Sequence, residues 1–130
     1  MIEGVIIGFD FGEKRIGVAV GNTMTRSARA YKILDSRTND ARWKAVSAVI
    51  AEWQPVALVV GVPSHPDGTA HEMTERCKRF ARQLQGRYGL PVIEVDERYS
   101  SAVVEEQGEF IDDEAASVIL QQFFDEEASE

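Results

Sequence analysis

The chain alternates between two hydrophobic periods. Residues 4–10 (GVIIGFD) and 15–21 (RIGVAVG) are apolar, β-branched runs, joined by the short glycine-containing connection Phe11-Gly12-Glu13-Lys14, as in a hairpin. Residues 28–34 (ARAYKIL) suit a third, more amphipathic strand. The period then lengthens. Trp43, Val46, Ile50 and Trp53 stand at i, i+3, i+7 and i+10, which predicts a helix over 39–54 that Pro55 ends. ALVVGV (57–62), bounded by Pro55 and Pro63, reads as a strand buried on both faces. Turn signals follow at Pro66 and Asp67-Gly68. Thr69-Ala70-His71-Glu72 has the form of a capping box, opening a helix over 70–87 with Met73, Cys77, Phe80, Leu84 and Tyr88 on one face. Gly86 and Gly89-Leu90-Pro91 close it, and PVIEVD (91–96) is a fifth strand. Residues 98–108 form a loop or short helix. Ala116, Ile119, Leu120 and Phe123 then mark a last helix over 112–125.

The order is β-β-β-α-β-α-β-α. Three consecutive strands form a meander, and the later strands must join it by helical crossovers, giving an α/β fold with a mixed five-stranded sheet flanked by helices. No repeat or linker interrupts the pattern, so residues 1–130 read as one domain. The first strand is expected at the centre of the sheet.

Composition narrows the class. The 130 residues are 44% hydrophobic and 28% charged, as in a soluble globular protein. The longest apolar run falls well short of the roughly 20 residues that cross a bilayer, and the start lacks the basic region of a signal peptide. The single cysteine, Cys77, excludes an internal disulfide and a multi-cysteine zinc site. A cytoplasmic location with no membrane partner is expected.

The net charge of −8 speaks against a nucleic-acid partner until its distribution is seen. Residues 1–90 carry 13 Lys/Arg against 9 Asp/Glu, net +4; residues 91–130 carry Arg98 against 13 acids, net −12. The acids fall at element ends. Asp10 closes the first strand, Asp96-Glu97 the fifth, and Asp112-Asp113-Glu114 opens the final helix. Carboxylates gathered at one end of a sheet raise one another's pKa unless a cation joins them, and hard oxygen ligands suit Mg²⁺ or Mn²⁺. Two such ions would serve phosphodiester hydrolysis. Spacing alone leaves Asp96 against Glu97 and Asp112 against Asp113 close to tied. Asp112 also suits a helix N-cap, Glu97 a surface pair with Arg98, and Asp10 a turn.

Basic residues surround these acids. Lys14 and Arg15 follow the Asp10 turn, Arg98 follows Glu97, and Arg26, Arg29, Lys32, Arg37, Arg42 and Lys44 lie together. The second helix adds Arg76, Lys78, Arg79, Arg82 and Arg87. Such groups give affinity for phosphates rather than base specificity. The helix start after Thr69 is a further phosphate position.

Four ordered stretches carry a family resemblance. They are Gly8-x-Asp10-Phe11-Gly12-x-Lys14-Arg15-Ile16-Gly17-Val18-Ala19, then Val60-Gly61-Val62-Pro63 with Asp67-Gly68-Thr69, Asp96-Glu97-Arg98 with Ser100-Ser101, and Ile111-Asp112-x-x-Ala115-Ala116-Ser117-Val118-Ile119-Leu120. Together the chain resembles the YqgF family of RNase H-like proteins, described as Holliday junction resolvases and as pre-16S rRNA nucleases. The resemblance implies an RNase H-like fold and names Asp10, Glu97 and Asp112 as the metal-binding, catalytic acids for two Mg²⁺ or Mn²⁺ ions. Lys14, Arg15, Arg98 and Thr69, placed near these acids by the charge pattern and the helix start, are the expected substrate contacts. The expected activity is hydrolysis of RNA, at the 5′ end of pre-16S rRNA. Alternatives are resolution of four-way DNA junctions, which needs a homodimer rather than a monomer, and a nucleic-acid-binding module without activity. A departure from the family motivates the last: residues 102–110, AVVEEQGEF, are short and acidic.

Overall fold

The computed structural model describes residues 3–63, 72–97 and 113–128, with the backbone alone at 97, 113, 114, 127 and 128. The elements are β1 (Val5–Phe11), β2 (Arg15–Asn22), β3 (Ser27–Asp35), α1 (Asn39–Trp53), β4 (Ala57–Pro63), α2 (Glu72–Tyr88), β5 (Val92–Glu97) and α3 (Asp113–Ala128). They follow the order expected from the pattern.

The sheet order is β3-β2-β1-β4-β5, with β1 at the centre. β1 and β2 are antiparallel from Val5↔Asn22 to Phe11↔Ile16, and β3 continues the meander with a register shift between Val18 and Ala19. β4 lies parallel to β1, and β5 parallel to β4. The two-residue alternation of a strand divides the sheet into two faces. Ile7, Phe9, Phe11, Ile16, Val18, Leu58 and Val60 pack under α1 and α2. Ile6, Ala19, Ala57, Val59 and Val95 pack under α3 with Ala116, Ile119 and Leu120. β4 thus buries both of its faces, as its unbroken apolar run required.

Local chemistry fixes the helix ends. The Thr38 hydroxyl accepts from Ala41 N at 3.1 Å as the α1 N-cap. Gln54 ends α1 in the left-handed region at φ 46, donating to Ile50 O. The buried stripe of α1 is Trp43, Val46 and Val49, so the i+3 step continues where Ile50 was expected to take over. In α2 the buried residues are Cys77, Phe80, Ala81 and Leu84. Gly86 lies inside α2, which stops two residues later, where Gly89 takes φ +67 and donates to Gln85 O. The predicted capping box centred on Thr69 and the loop over 98–108 lie outside the described residues.

Two glycines let α3 approach the sheet closely. A Cβ at Gly8 would stand 2.9 Å from Leu120 Cβ, and one at Gly21 2.6 Å from Phe124 Cε2. Gln121 then ties α3 to the meander, accepting from Ala28 N at 3.0 Å and donating to Arg26 O at 3.1 Å.

Candidate functional site

Asp10 is the sixth residue of β1 and is 7% exposed. Its even-numbered neighbours Ile6 and Gly8 face α3, so strand alternation assigns residue 10 to the same side. Its antiparallel partner is Gly17. On the other side, β1 and β4 pair as far as Phe9↔Val60, and one further step in that register brings Gly61 beside Asp10. A carboxylate is thus held near the end of the central strand between two glycines, neither of which adds a side chain to that part of the floor. Motif reading singled out all three residues; the pairing shows Asp10 beside Gly17 and reaches Gly61 one step past its last β1–β4 pair.

The same alternation sorts the fifth strand. Ile93 and Val95 face α3, and position 97 follows in phase with them, paired in register with Pro63. Position 96 falls in the opposite phase, and its backbone carbonyl accepts from Gln122 Nε2 at 2.8 Å. Because Gly61 pairs with Val95, Asp10 and position 97 are two strands apart and offset by two residues. With spacings of about 4.8 Å between strands and 3.3 Å along them, their Cα atoms stand roughly 12 Å apart.

The direction of α3 brings a third element to this end of the sheet. Phe124 stands over Gly21, which pairs with Ile6, whereas Leu120 and Ala116 stand over Gly8. Two residues of strand cover about 6.7 Å and four residues of helix about 6 Å, so helix and strand advance in step. Walking toward Asp10 along β1 is therefore walking toward the N-terminus of α3, which begins at Asp113. That end of a helix carries the positive pole of its dipole. Asp112 itself, like Arg98 and Thr69, lies outside the described residues.

Lys14 and Arg15 sit at the β1–β2 turn, at the same end. The Lys14 carbonyl accepts from Ser36 N at 2.9 Å, which ties this turn to the end of β3, and exposed Arg15 pairs in register with Asp35. Both line a cavity of about 450 Å³ with Asp35 and Arg37. Arg37 donates to Asp35 from its guanidinium at 3.1 and 3.2 Å and from its backbone N–H at 3.0 Å. These bonds hold the Asp35 carboxyl below the usual carboxylate range and raise Arg37 in return. Asp35 is therefore already committed to a cation, and Lys14 and Arg15 leave the rim basic.

Among the described residues no three His, Cys, Asp or Glu gather in a metal-holding group. Of the three expected ligands, the side chain of Asp10 alone is described. No helix among the described residues is long and apolar enough to cross a membrane. Sequence reasoning also missed an arginine-lined groove on the other face of the sheet, formed by Arg42, Arg76, Arg79 and Arg87. Its residues had been noted one by one, but no periodicity reveals that α1 and α2 turn them toward each other.

Comparisons with known proteins agree with this architecture. A family model described as "RuvX: Holliday junction resolvase" matches residues 4–126. A protein of Ralstonia pickettii named "Putative pre-16S rRNA nuclease" is 55% identical, over 98% of this chain and 91% of the relative. One of Burkholderia ambifaria with the same name is 53% identical, over 95% and 91%. Among solved structures, Thermus thermophilus RuvC in complex with a Holliday junction substrate superposes with a TM-score of 0.58 at 13% identity, covering 96% of each chain. The fowlpox virus Holliday junction resolvase superposes with a TM-score of 0.56 at 14% identity, covering 95% of this chain and 99% of its own. At such identities these two structures establish a shared RNase H-like fold.

Proposed function

The chain belongs to the RuvX (YqgF) family, and from that premise we propose that it is a metal-dependent nuclease that hydrolyses phosphodiester bonds in RNA, at the 5′ end of pre-16S rRNA. One observation carries the reading. Asp10, buried at the end of the central strand, shares a sheet face with position 97 and lies toward the helix end that Asp112 precedes. Carboxylates gathered at one end of a sheet favour a shared divalent cation, which offsets their mutual repulsion.

The donor set fits hard divalent cations. Asp10, Glu97 and Asp112 offer carboxylate oxygens only, which suits Mg²⁺ or Mn²⁺ better than softer metals. Two ions held there supply Lewis acidity for attack on a phosphodiester and for departure of its leaving oxygen. The chain's own residues do the remaining work. Asp10, together with Glu97 and Asp112, would hold the ions through carboxylate oxygens. Lys14 and Arg15 hold phosphates along the β1–β2 rim, with Arg98 and Thr69 extending that contact. Their attraction offsets the repulsion between an acidic site and a polyanion.

The decisive experiment incubates wild type and Asp10→Asn with matched single-stranded RNA, duplex DNA and four-way DNA junctions in Mn²⁺. Cleavage of RNA by wild type and none by the variant is expected, with unchanged circular dichroism. Wild-type turnover by Asp10→Asn ends the assignment. A second reading, a resolvase acting on four-way junctions, is favoured by the description of the matching family model. Preferential junction cleavage by a dimer in sedimentation selects it.

A further inference from the structure

Four arginines converge on the sheet face opposite Asp10. Arg42 of α1 and Arg76, Arg79 and Arg87 of α2 line a groove of about 420 Å³, in which Glu13 is the one acid among the described lining residues. Neutral partners hold the guanidinium groups of Arg42 and Arg87. Arg42 donates to Ser36 Oγ at 2.8 Å, Asn39 Oδ1 at 3.2 Å and Ser36 O at 3.3 Å, and lies 5.1 Å from the centre of the Phe11 ring. Arg87 stands 4.0 Å over the Trp43 indole. Arg76 pairs with Glu13 and, at 3.3 Å, with Glu72. Exposed Arg79 makes no hydrogen bond or ion pair among the described residues.

Stacking on an aromatic face leaves the edge of a guanidinium, which carries its N–H donors, open to a ligand. Ser36 and Asn39 fix the Arg42 guanidinium without neutralising it. Burial, and then the nearby charge of Arg79, lower the Arg42 pKa, and an anion in the groove would favour its charged form. An ordinary solvated basic face needs no such scaffold.

We propose that the α1–α2 groove is a second phosphate site, holding a backbone phosphate of the nucleic acid a few nucleotides from the bond at Asp10. The inference rests on the nuclease reading above. Position supports it: Phe11 and Glu13 bring the groove to the β1–β2 turn, directly after Asp10 in the chain. Phe11, the residue after Asp10 in β1, lines the groove from the opposite face of the strand, so a strand leaving the Asp10 face over this turn reaches the groove.

The test uses the full chain carrying Asp10→Asn, so that RNA is bound without being cut. A fluorescein-labelled 20-nucleotide single-stranded RNA is titrated by anisotropy at several KCl concentrations. Arg79→Gln is expected to weaken binding about three- to ten-fold at low salt and to reduce the log–log salt slope by about 0.7, the value for one phosphate on a single strand. Arg82→Gln makes the same charge change on the same helix outside the groove and is expected to change affinity less than two-fold. Equal losses in the two variants overturn the proposal, because they report a general field rather than a site. An unchanged slope in Arg79→Gln with RNA still bound also overturns it and leaves the nuclease reading standing; failure to bind RNA or DNA at all defeats both. A further Trp53→Phe change leaves Trp43 as the sole tryptophan reporter. Its fluorescence is expected to respond to the RNA. A response to inorganic phosphate alone, with Arg79→Gln inert toward RNA, assigns the groove to a free anion and rejects a nucleic-acid phosphate.

Discussion

Asp10 is an acid in a strand whose other members from Ile6 to Phe11 are all buried and uncharged. If it holds divalent ions, the folded chain binds metal and the unfolded chain does not, and binding becomes stability. Mn²⁺ at a hundred-fold excess over its Kd then adds about 2.7 kcal/mol, a rise of several degrees in Tm for a chain of this size. Asp10→Asn should lose most of that rise, as differential scanning fluorimetry with and without EDTA will show for each protein. A metal-induced rise of equal size in the variant removes Asp10 from the ligand set. At the rim, Arg15→Gln is expected to weaken RNA binding a few-fold without changing Tm by more than about a degree, since Arg15 is exposed and surface ion pairs contribute little.

Whole elements are placed by contacts that single residues permit. α3 reaches the sheet because Gly8 and Gly21 carry no Cβ. At Gly8 an added methyl meets Leu120 Cβ at 2.9 Å, an atom bonded directly to the α3 backbone, so the helix has to give way. Gly8→Ala should therefore cost about 1–3 kcal/mol by overpacking, read in urea denaturation. It should also reduce nuclease activity, by displacing the start of α3 from the Asp10 end of the sheet. Gly86 provides the contrast, with nothing within 4 Å of an added Cβ and a helical position inside α2. Gly86→Ala should stabilise by about 0.5–1 kcal/mol and leave cleavage unchanged. The two variants separate the loss of a glycine from the loss of a close approach. The position of Gly86 also shows why the sequence misjudged it. Glycine marks a helix end only where the backbone turns left-handed, and that turn occurs at Gly89.

Across the whole molecule, the two faces of one sheet carry different chemistry. The α3 face carries Asp10 near the end of the central strand, and the α1–α2 face carries the arginine groove. A chain of net charge −8 can meet a polyanion only through such local separation of charge. Nucleic-acid affinity should consequently fall steeply with ionic strength despite the acidic total. An affinity indifferent to KCl between 50 and 200 mM would contradict electrostatic binding at either face.

Most of the architecture was legible before any coordinates. Hydrophobic period separates strands from helices because a strand repeats every two residues and a helix every 3.6. The apolar run at 57–62 could satisfy its surroundings only between two covered faces. The ordered motifs around Asp10, Glu97 and Asp112 belong to the same level, because a family signature is a property of the chain. Spacing alone left Asp96 and Glu97 nearly equivalent, since neither residue reveals which way the strand is turned. What the parallel pairing of β5 with β4 decided is that Ile93 and Val95 pack under α3. Gly17 and Gly61 as neighbours of Asp10, and the meeting of Arg42 with Arg79 and Arg87, were likewise decided by tertiary structure. Local sequence sets what each element is, through periods that a few residues suffice to express. Which residues meet across elements depends on register and helix approach, and those are set only when distant parts of the chain bury their surfaces against one another.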